Sequence, residues 1–254
     1  MLAQAAMVDA AGWARLGRLV TAEYAWRGAT LEPAKTSVSV LRRRQLEADE
    51  DAKPTRFSHP ASGSFELKSG AGAELSATER GTAHHAFMEL VAVECTGSLA
   101  EIQAEGARMV ESGWLRPVDA AALNWTGLAG FWASELGEAV RRNAACVHRE
   151  LPFTARVEVE DLKELGLHPP GAALPDDEFV VVQGVVDLAL ILRDEIWLVD
   201  FKTDRVSEAD LREKARAYEA QLGLYGRALA GIYHRPVRRK WLYFLEISRA
   251  VEVG

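Results

Sequence analysis

The segment 184–204 constrains the fold more than any other part of the chain. Two apolar, β-branched runs flank the turn residues Arg193-Asp194, and this pattern is typical of a β-hairpin. A two-residue turn there places Asp187 directly opposite Asp200. Opposed residues of an antiparallel pair have Cβ atoms about 4.5–5.5 Å apart. The sequence therefore predicts two neighbouring carboxylates inside apolar strands.

These two carboxylates point to chemistry, because like charges in an apolar setting repel each other and lose hydration. A hard divalent cation relieves both problems by accepting oxygen from each. Side chains alternate along a strand, so Lys202 shares the face of Asp200. A lysine beside a cation suits metal-assisted phosphodiester hydrolysis. The same spacing also fits a surface aspartate pair with Lys202 as an ion-pair partner, so both interpretations stay open on these residues alone.

Composition limits the class of protein. The 254 residues are 48% hydrophobic and 26% charged, which is ordinary for a globular protein of one large or two small domains. We expect no membrane span and no secretory signal, since neither pattern occurs. Cys95 and Cys146 exclude a disulfide scaffold, a cysteine zinc site and a four-cysteine iron–sulfur cluster within the chain, and a cytoplasmic location fits best. The net charge of −7 argues against a passive nucleic-acid coat.

Periodicity predicts an α/β fold with a central mixed sheet flanked by helices. Helices are predicted over most of residues 1–35 and over 76–95, 99–112, 119–124, 126–146 and 207–232, the second opening on the capping box of Ser76 and Glu79. Strands are predicted over 153–159, 179–192, 196–202 and 240–247, with a polar surface loop over 45–75.

Four motifs in order resemble the PD-(D/E)XK nuclease superfamily. The closer likeness is to the nuclease domain at the carboxyl end of bacterial AddA/RecB-type helicase–nucleases, and it covers about residues 36–247. The motifs are Gly81-Thr82-Ala83-His84-His85, Gly184-Val185-Val186-Asp187, Asp200-Phe201-Lys202-Thr203 and Tyr218-x-x-Gln221-Leu222-x-x-Tyr225, and residues 36–41 resemble the short opening segment of such domains.

The resemblance implies a restriction-endonuclease-like core and a nuclease that depends on Mg²⁺ or Mn²⁺. It implies that His85, Asp187, Asp200 and the Phe201 carbonyl bind the metal. Lys202 would position the attacking water, with no covalent enzyme intermediate. Some relatives carry four cysteines around an iron–sulfur cluster, so this chain resembles the branch without a cluster.

Several supporting residues have two interpretations. Gln221 and Tyr225 either support Lys202 near the scissile phosphate or pack an amphipathic helix. Glu150 is either a further carboxylate near the metal or a solvated charge at a strand entrance. His84 is predicted to be a core histidine, whereas His85 lines up with Gly81, where a glycine allows close approach of sheet or substrate.

Aromatic and basic residues give weaker signals. Helical spacing favours core packing over base stacking for Trp114, Trp125 and Trp132. The basic runs 42–44 and 235–240 either follow a phosphate backbone or are simply solvated.

The predicted function is metal-dependent hydrolysis of DNA in recombination and repair, exonucleolytic on single strands or duplex ends. The alternatives are a nuclease-like module that binds DNA or a helicase without cutting, and an RNase. Residues 1–35 are predicted to be a helical extension or linker and residues 36–254 the nuclease domain. No Gly-x-x-x-x-Gly-Lys-(Ser/Thr) loop occurs, so we expect either an excised terminal domain of a larger helicase–nuclease or a free-standing relative, with a helicase motor domain or subunit as a candidate partner.

Overall fold

The computed structural model describes residues 9–22, 33–50, 75–167 and 178–254, without the side chains of 46–50. The helices are α1 (Ala10–Thr21), α2 (Val38–Glu50), α3 (Ala77–Leu90), α4 (Leu99–Glu111), α5 (Pro117–Ala121), α6 (Trp125–Ala133), α7 (Glu135–Arg142), α8 (Val159–Glu164) and α9 (Leu211–Tyr233). The strands are β1 (Lys35–Ser37), β2 (Val147–Glu158), β3 (Phe179–Ile191), β4 (Ile196–Lys202), β5 (Val237–Phe244) and β6 (Arg249–Glu252).

A single mixed sheet organises these elements in the order β1-β3-β4-β5-β6, with β2 on the other edge of β3. The pairs β1–β3 and β4–β5 are parallel and the others antiparallel, which confirms the predicted mixed sheet. Strands β1 and β4 share one edge of β3, because β1 pairs with 181–183 and β4 with 188–191. Between them, the edge of β3 at 184–187 has no strand partner among the described residues.

Apolar side chains cover both faces of the sheet, as expected for strands that read as nearly continuous hydrophobic runs. The four-helix cluster, on the side of α3, α4, α6 and α7, includes Phe87, Ile102, Met109, Leu128, Phe131, Trp132, Val140, Leu188, Leu190 and Phe201. The α9 cluster, on the opposite face, includes Val38, Leu41, Phe153, Leu162, Val182, Val186, Leu198, Leu224 and Leu229.

The pattern of side-chain directions along β3 reverses at Asp187. Residues two apart on a regular strand share a face, yet Val186 packs in the α9 cluster and Leu188 in the four-helix cluster. Glu150 occupies the level of Asp187 on the neighbouring β2 and has a φ of 44°, a left-handed conformation that costs a non-glycine residue free energy. The sheet is therefore locally distorted at these two acids.

The hairpin prediction is confirmed. Leu188 pairs with Val199 and Ile191 with Ile196 in the predicted register, but the ladder ends before Asp187 and Asp200. The capping box is also confirmed, since Ser76 Oγ accepts from the Glu79 amide at 3.2 Å and the Glu79 carboxylate accepts from the Ser76 amide at 2.8 Å.

Several predicted boundaries are wrong. Helix α1 ends at Thr21, since Ala22 is extended, and the rest of the predicted helical region, residues 1–8 and 23–32, lies outside the described residues. Helix α2 continues to Glu50 where a loop was predicted from residue 45. The rest of that loop, 51–74, lies outside the described residues. The long helix predicted over 126–146 is divided at Ser134, whose hydroxyl accepts from the Gly137 amide at 3.1 Å and so begins α7.

Other boundaries moved for local reasons. Helix α3 ends at Leu90 rather than Cys95, and α9 begins at Leu211 because Ser207 and Asp210 form a turn before it. Strand β2 begins at residue 147, six residues before the predicted start, and β6 was not predicted. No helix in the described ranges has the length and apolar character that a membrane span requires.

Candidate functional site

Three carboxylates lie in a row across neighbouring strands, Glu150 on β2, Asp187 on β3 and Asp200 on β4. Helix α3 brings His85 to this row. Its Nδ1 lies 3.2 Å from Glu150 Oε1 and 3.5 Å from Asp187 Oδ1. Donor atoms of His85, Glu150 and Asp187 all lie within 4.8 Å of one another. Imidazole nitrogen and carboxylate oxygen together form a set of potential metal ligands.

Helix α3 approaches the sheet closely at Gly81. A Cβ on Gly81 would lie 3.3 Å from Thr203 Oγ1, just beyond the end of β4. His85 follows one helical turn later, so it faces the same side of the helix. The glycine therefore has the role expected for it, because it lets the helix bring His85 to the strands.

Asp187 occupies the place where β3 and β4 separate. The ladder between these strands extends only as far as Leu188 and Val199. The next amide on that side of β4, that of Phe201, donates to Asp187 Oδ2 at 2.7 Å. The N–H and C=O of one strand residue point to the same edge, so the Phe201 carbonyl also faces the gap.

Asp200 and Lys202 form a second group beside the first. Lys202 Nζ lies 2.5 Å from Asp200 Oδ2, and the Asp200 residue is 2% exposed. Gln221 on α9 donates through Nε2 to Asp200 Oδ1 at 3.0 Å and lies 2.9 Å from the Tyr225 hydroxyl. The helical spacing of Gln221 and Tyr225 thus places both against the carboxylate that holds the lysine.

Burial and charge together set the electrostatics of the site. Burial, with the nearby charge of Asp200, raises the pKa of Asp187 to about 7. Burial lowers the pKa of His85, but its hydrogen bond to Glu150 and the charge of Asp187 outweigh that and raise it. Burial also opposes the charge of Lys202, yet Asp200 above all raises the Lys202 pKa. The lysine is therefore an ammonium. Its charge lies closest to Asp200, and Asp187 is left with less positive charge nearby than a buried carboxylate needs.

An aromatic ring supports the lysine from α9. Lys202 Nζ lies 4.2 Å from the ring centroid of Tyr218, and the Tyr218 hydroxyl donates to Asp204 Oδ2 at 2.6 Å. The guanidinium of Arg42 lies 3.9 Å from the same centroid. Tyr218 was predicted only as the first residue of the fourth motif, without a role of its own; its spacing of three residues from Gln221 was the signal that could have placed it at the site.

His84 is a core histidine, as predicted. It is 4% exposed, its Nδ1 lies 2.7 Å from the Arg80 carbonyl, and its Nε2 accepts from the Asn124 amide at 2.8 Å. Burial lowers the His84 pKa, so the ring is neutral and both nitrogens serve the fold.

The three tryptophans predicted to pack in the core differ in their burial. Trp132 is fully buried and Trp125 packs against the four-helix cluster, but Trp114 is 55% exposed and lies under the guanidinium of Arg108. The core prediction is therefore wrong for Trp114, because helix α4 ends before it and its ring extends past the helical layer.

The basic run 235–240 has partners within the chain. Arg235 donates to the Leu192 carbonyl at 2.8 Å, Arg239 pairs with Glu252 at 3.1 Å, and Lys240 donates to the Gly254 carbonyl at 2.7 Å. These contacts favour a structural role for this run. In the run 42–44, by contrast, Arg42 stacks on Tyr218, the residue whose ring also contacts Lys202.

An open cleft of about 690 Å³ lies against β2, β3 and the junction of β1 with α2. Tyr225 on α9, whose hydroxyl contacts Gln221, forms one of its walls. Its lining is completed by Ser37, Val38, Ser39, Pro152, Phe153, Thr154, Gln183, Gly184 and Val185. A Cβ on Gly184 would lie 2.7 Å from the Phe153 ring and 2.9 Å from Val38, so this glycine lets the cleft walls pack on β3.

Comparisons with known proteins agree with this geometry. A model of the PD-(D/E)XK nuclease superfamily matches residues 56–251. The A subunit of the ATP-dependent helicase/nuclease of Clostridium acetobutylicum is 30% identical over 234 residues, which are 91% of this chain and 18% of that protein. The corresponding protein of Bacillus cytotoxicus is 31% identical over 250 residues, 92% of this chain and 19% of that protein.

A third relative, the corresponding protein of Moorella thermoacetica, is 36% identical over 225 residues, which are 85% of this chain and 15% of that protein. The chain thus spans less than one fifth of the length of these relatives. The motif resemblance is confirmed by a family model that covers well over half of the residues. The chain belongs to the PD-(D/E)XK nuclease superfamily.

Proposed function

We propose that this chain hydrolyses phosphodiester bonds of DNA with the help of Mg²⁺ or Mn²⁺, exonucleolytically on single strands or duplex ends. The observation that carries the proposal is that a cluster of three potential metal ligands lies beside an aspartate that holds a lysine. His85, Glu150 and Asp187 gather donor atoms within 4.8 Å, and Asp200 holds Lys202 at 2.5 Å beside them.

The residues present fit a hard divalent cation. The donors are carboxylate oxygens and an imidazole nitrogen, and the Phe201 carbonyl faces the same gap. The pKa of Asp187 is raised to about 7 by burial and by Asp200, which is consistent with a site that needs added positive charge. We assign His85, Asp187, Asp200 and the Phe201 carbonyl as the residues that hold the metal, with Glu150 as a further ligand. The bound metal would neutralise phosphate charge and make water a better nucleophile.

The other residues have roles that follow from their contacts. Lys202 is an ammonium held by Asp200, so it orients water toward the phosphate and stabilises the negative charge that develops during attack. Gln221 fixes the free oxygen of Asp200 and is held in turn at Tyr225. Hydrolysis proceeds in line, with water rather than a side chain as the nucleophile.

The relatives suggest the biological setting. They are named as the A subunit of an ATP-dependent helicase/nuclease. We propose that this chain acts on DNA in recombination and repair in the cytoplasm, with a helicase motor, in the same polypeptide or a separate one, that delivers the strand. This delivery fits the net charge of −7, because an acidic protein gains little from long-range attraction to DNA.

The test compares Lys202→Ala with Lys163→Ala, which removes the same charge from an exposed residue of α8 outside the site motifs. We expect Lys202→Ala to slow Mn²⁺-dependent degradation of labelled single-stranded DNA at least about 100-fold, and Lys163→Ala to leave the rate unchanged. EDTA should abolish cleavage by the parent chain. Circular dichroism would check that both variants are folded.

Two results would contradict the proposal. One is cleavage by Lys202→Ala at the parent rate. The other is tight DNA binding by the parent chain without any EDTA-sensitive loss of substrate, which would support the non-cutting binding module instead. A parallel assay with RNA of the same sequence would decide between DNA and RNA as substrate, since the 2′-hydroxyl is the chemical difference.

A further inference from the structure

Arg42 is a cation at the site for which the described residues supply no counter-charge. It lies on the second turn of α2, and its guanidinium is stacked 3.9 Å from the ring centroid of Tyr218. Its Nε is buried without a hydrogen-bond partner. Within the described ranges, no carboxylate forms an ion pair with it.

Arg42 is also close to the reacting groups. Lys202 Nζ lies 4.2 Å from the same ring centroid, so the two cationic groups are at most about 8 Å apart. Burial raises the pKa of Tyr225, and Arg42 is near enough to oppose that rise. The guanidinium therefore contacts Tyr218 and is close enough to Tyr225 to affect its pKa, and these are the two tyrosines that flank Gln221.

The stacking leaves the hydrogen-bonding capacity of Arg42 available. A guanidinium that stacks on an aromatic ring uses its face, while its N–H groups point outward in its plane. A partly buried cation without a partner costs free energy. The in-plane N–H groups match two oxygens of a phosphate, which is the anionic group that a nucleic-acid strand repeats at every nucleotide.

The cleft provides a path for such a strand. Tyr225 and the start of α2 form parts of its wall, Ser37, Ser39 and Gln183 add polar groups, and Val185 adds an apolar surface that is 41% exposed. Its volume of about 690 Å³ falls within the size of ordinary ligand pockets. Val38 and Ser39 of its wall belong to α2, the helix on which Arg42 lies, so a strand in this cleft would pass beside that helix.

We propose that Arg42 binds a backbone phosphate of the substrate strand adjacent to the scissile phosphate. This proposal rests on the proposed function and deepens it, because it identifies a contact that sets the register of the strand at the metal centre. Tyr218 then has a double role: its ring orients Arg42 toward the strand and supports Lys202 at the point of cleavage.

A binding experiment tests the proposal without requiring cleavage. Arg42→Ala is compared with Arg43→Ala, an exposed neighbour on the same helix, both in a Lys202→Ala background that preserves the DNA. Fluorescence anisotropy measures affinity for a labelled single strand over a range of salt concentrations. We expect Arg42→Ala to weaken binding about 10-fold and to reduce the salt slope by about 0.7, the value for one phosphate on a single strand. Arg43→Ala should change neither as much.

A substrate experiment locates the contact. Methylphosphonate, a neutral replacement for one phosphate, is placed at successive positions of the strand, and cleavage by the parent chain is compared with cleavage by Arg42→Ala. We expect one position near the cut at which neutralisation slows the parent chain but has no further effect on Arg42→Ala. If Arg42→Ala is unfolded, Arg42→Met, which keeps an unbranched stem over Tyr218, replaces it.

The outcomes separate this inference from the proposed function. An unchanged salt slope in Arg42→Ala, or equal sensitivity of both proteins at every methylphosphonate position, would overturn the role of Arg42 even if the chain is a nuclease. A reduced salt slope in a chain that cuts no DNA would support the phosphate contact while the proposed hydrolysis fails.

Discussion

The consecutive histidines His84 and His85 have different surroundings because they point in different directions from one helix. Successive residues on a helix are rotated by about 100°, so His84 and His85 point in different directions from α3. His84 is buried between the Arg80 carbonyl and the Asn124 amide. His85 faces Glu150 and Asp187.

The two histidines therefore predict opposite results on substitution. His84→Ala leaves the buried Asn124 amide without its acceptor and creates a cavity, and we expect a loss of about 2–4 kcal/mol in unfolding free energy. His85→Ala should retain stability within about 1 kcal/mol and lower metal-dependent cleavage about 100-fold. Thermal unfolding and cleavage assays on both variants give the comparison. Equal loss of stability in the two variants would contradict the different roles.

The position of Glu150 could not be decided from the sequence. The sequence allowed a metal ligand or a solvated charge. The structure places its carboxylate 3.2 Å from His85, on a backbone with a φ of 44°. Such strain persists when the surrounding structure enforces it, and the facing distortion at Asp187 on β3 does so here.

At the scale of elements, a buried acid ties α4 to the end of α3. Glu105 accepts from the Ala92 amide at 3.1 Å and forms two hydrogen bonds with Arg108. The Glu105 side chain is 9% exposed, and that of Arg108 is 41% exposed. The hydrogen bonds with Arg108 are the main cause that lowers the Glu105 pKa, so the ionised carboxylate stabilises the helical layer that carries His85.

This arrangement predicts a stability that depends on pH. A carboxyl with a lower pKa in the folded than in the unfolded state stabilises the fold above the unfolded pKa of about 4.3, and that contribution is lost as the pH falls through the folded pKa. Glu105→Gln keeps an acceptor for Ala92 but removes the charge. We expect it to lower the unfolding free energy by about 1 kcal/mol at pH 7, with a smaller difference at pH 3.5, as measured by urea denaturation.

The matched control is Glu111→Gln, an exposed acid at the end of the same helix. It should have little effect at either pH. A difference between the parent chain and Glu105→Gln that stays constant from pH 7 to pH 3.5 would show that packing, and not charge, is responsible.

Element prediction succeeded where local patterns are strong. Strand β4 has its predicted bounds and α3 its predicted start, because an apolar run beside a turn and a capping box are local signals. Strand β6 was missed, since its four residues 249–252 are held mainly by pairing with β5. Helix α2 was not predicted, because its polar second half gives no apolar period.

At the scale of the whole molecule, α1 differs from the rest of the chain. None of its residues is buried, and Trp13, Leu19 and Val20 are each more than 60% exposed. The first strand of the sheet begins at Lys35. The division into an extension over 1–35 and a domain over 36–254 remains a prediction, which the low burial of α1 supports.

Truncation tests that division. Removal of residues 1–32 should change the melting temperature by no more than about 2 °C, because no residue of α1 is buried. Removal of residues 1–40 should lower it by several times more, since this also deletes β1 and the buried side chain of Val38. Differential scanning calorimetry measures both. A large loss on the shorter truncation would assign residues 1–32 to the domain.

The hairpin and its register up to Leu188 and Val199 could be predicted from the sequence alone. Only the family resemblance implied that Gln221 and Tyr225 lie beside Lys202, whereas spacing put Lys202 on the face of Asp200 and Gln221 one helical turn from Tyr225. These predictions succeed because strand alternation and helical rotation are local properties of the chain.

Three features of the site could be seen only in the folded chain. They are the contact of Glu150 with His85, the separation of β3 and β4 that leaves the Phe201 amide to Asp187, and the position of Arg42 on Tyr218. Each of these depends on segments far apart in the sequence, such as α2, α3 and β2, that approach one another only when apolar faces pack on both sides of the sheet. Local spacing carries no information about those distances. The sequence therefore could not assign a role to the basic run 42–44, whereas the structure shows that Arg42 stacks on Tyr218.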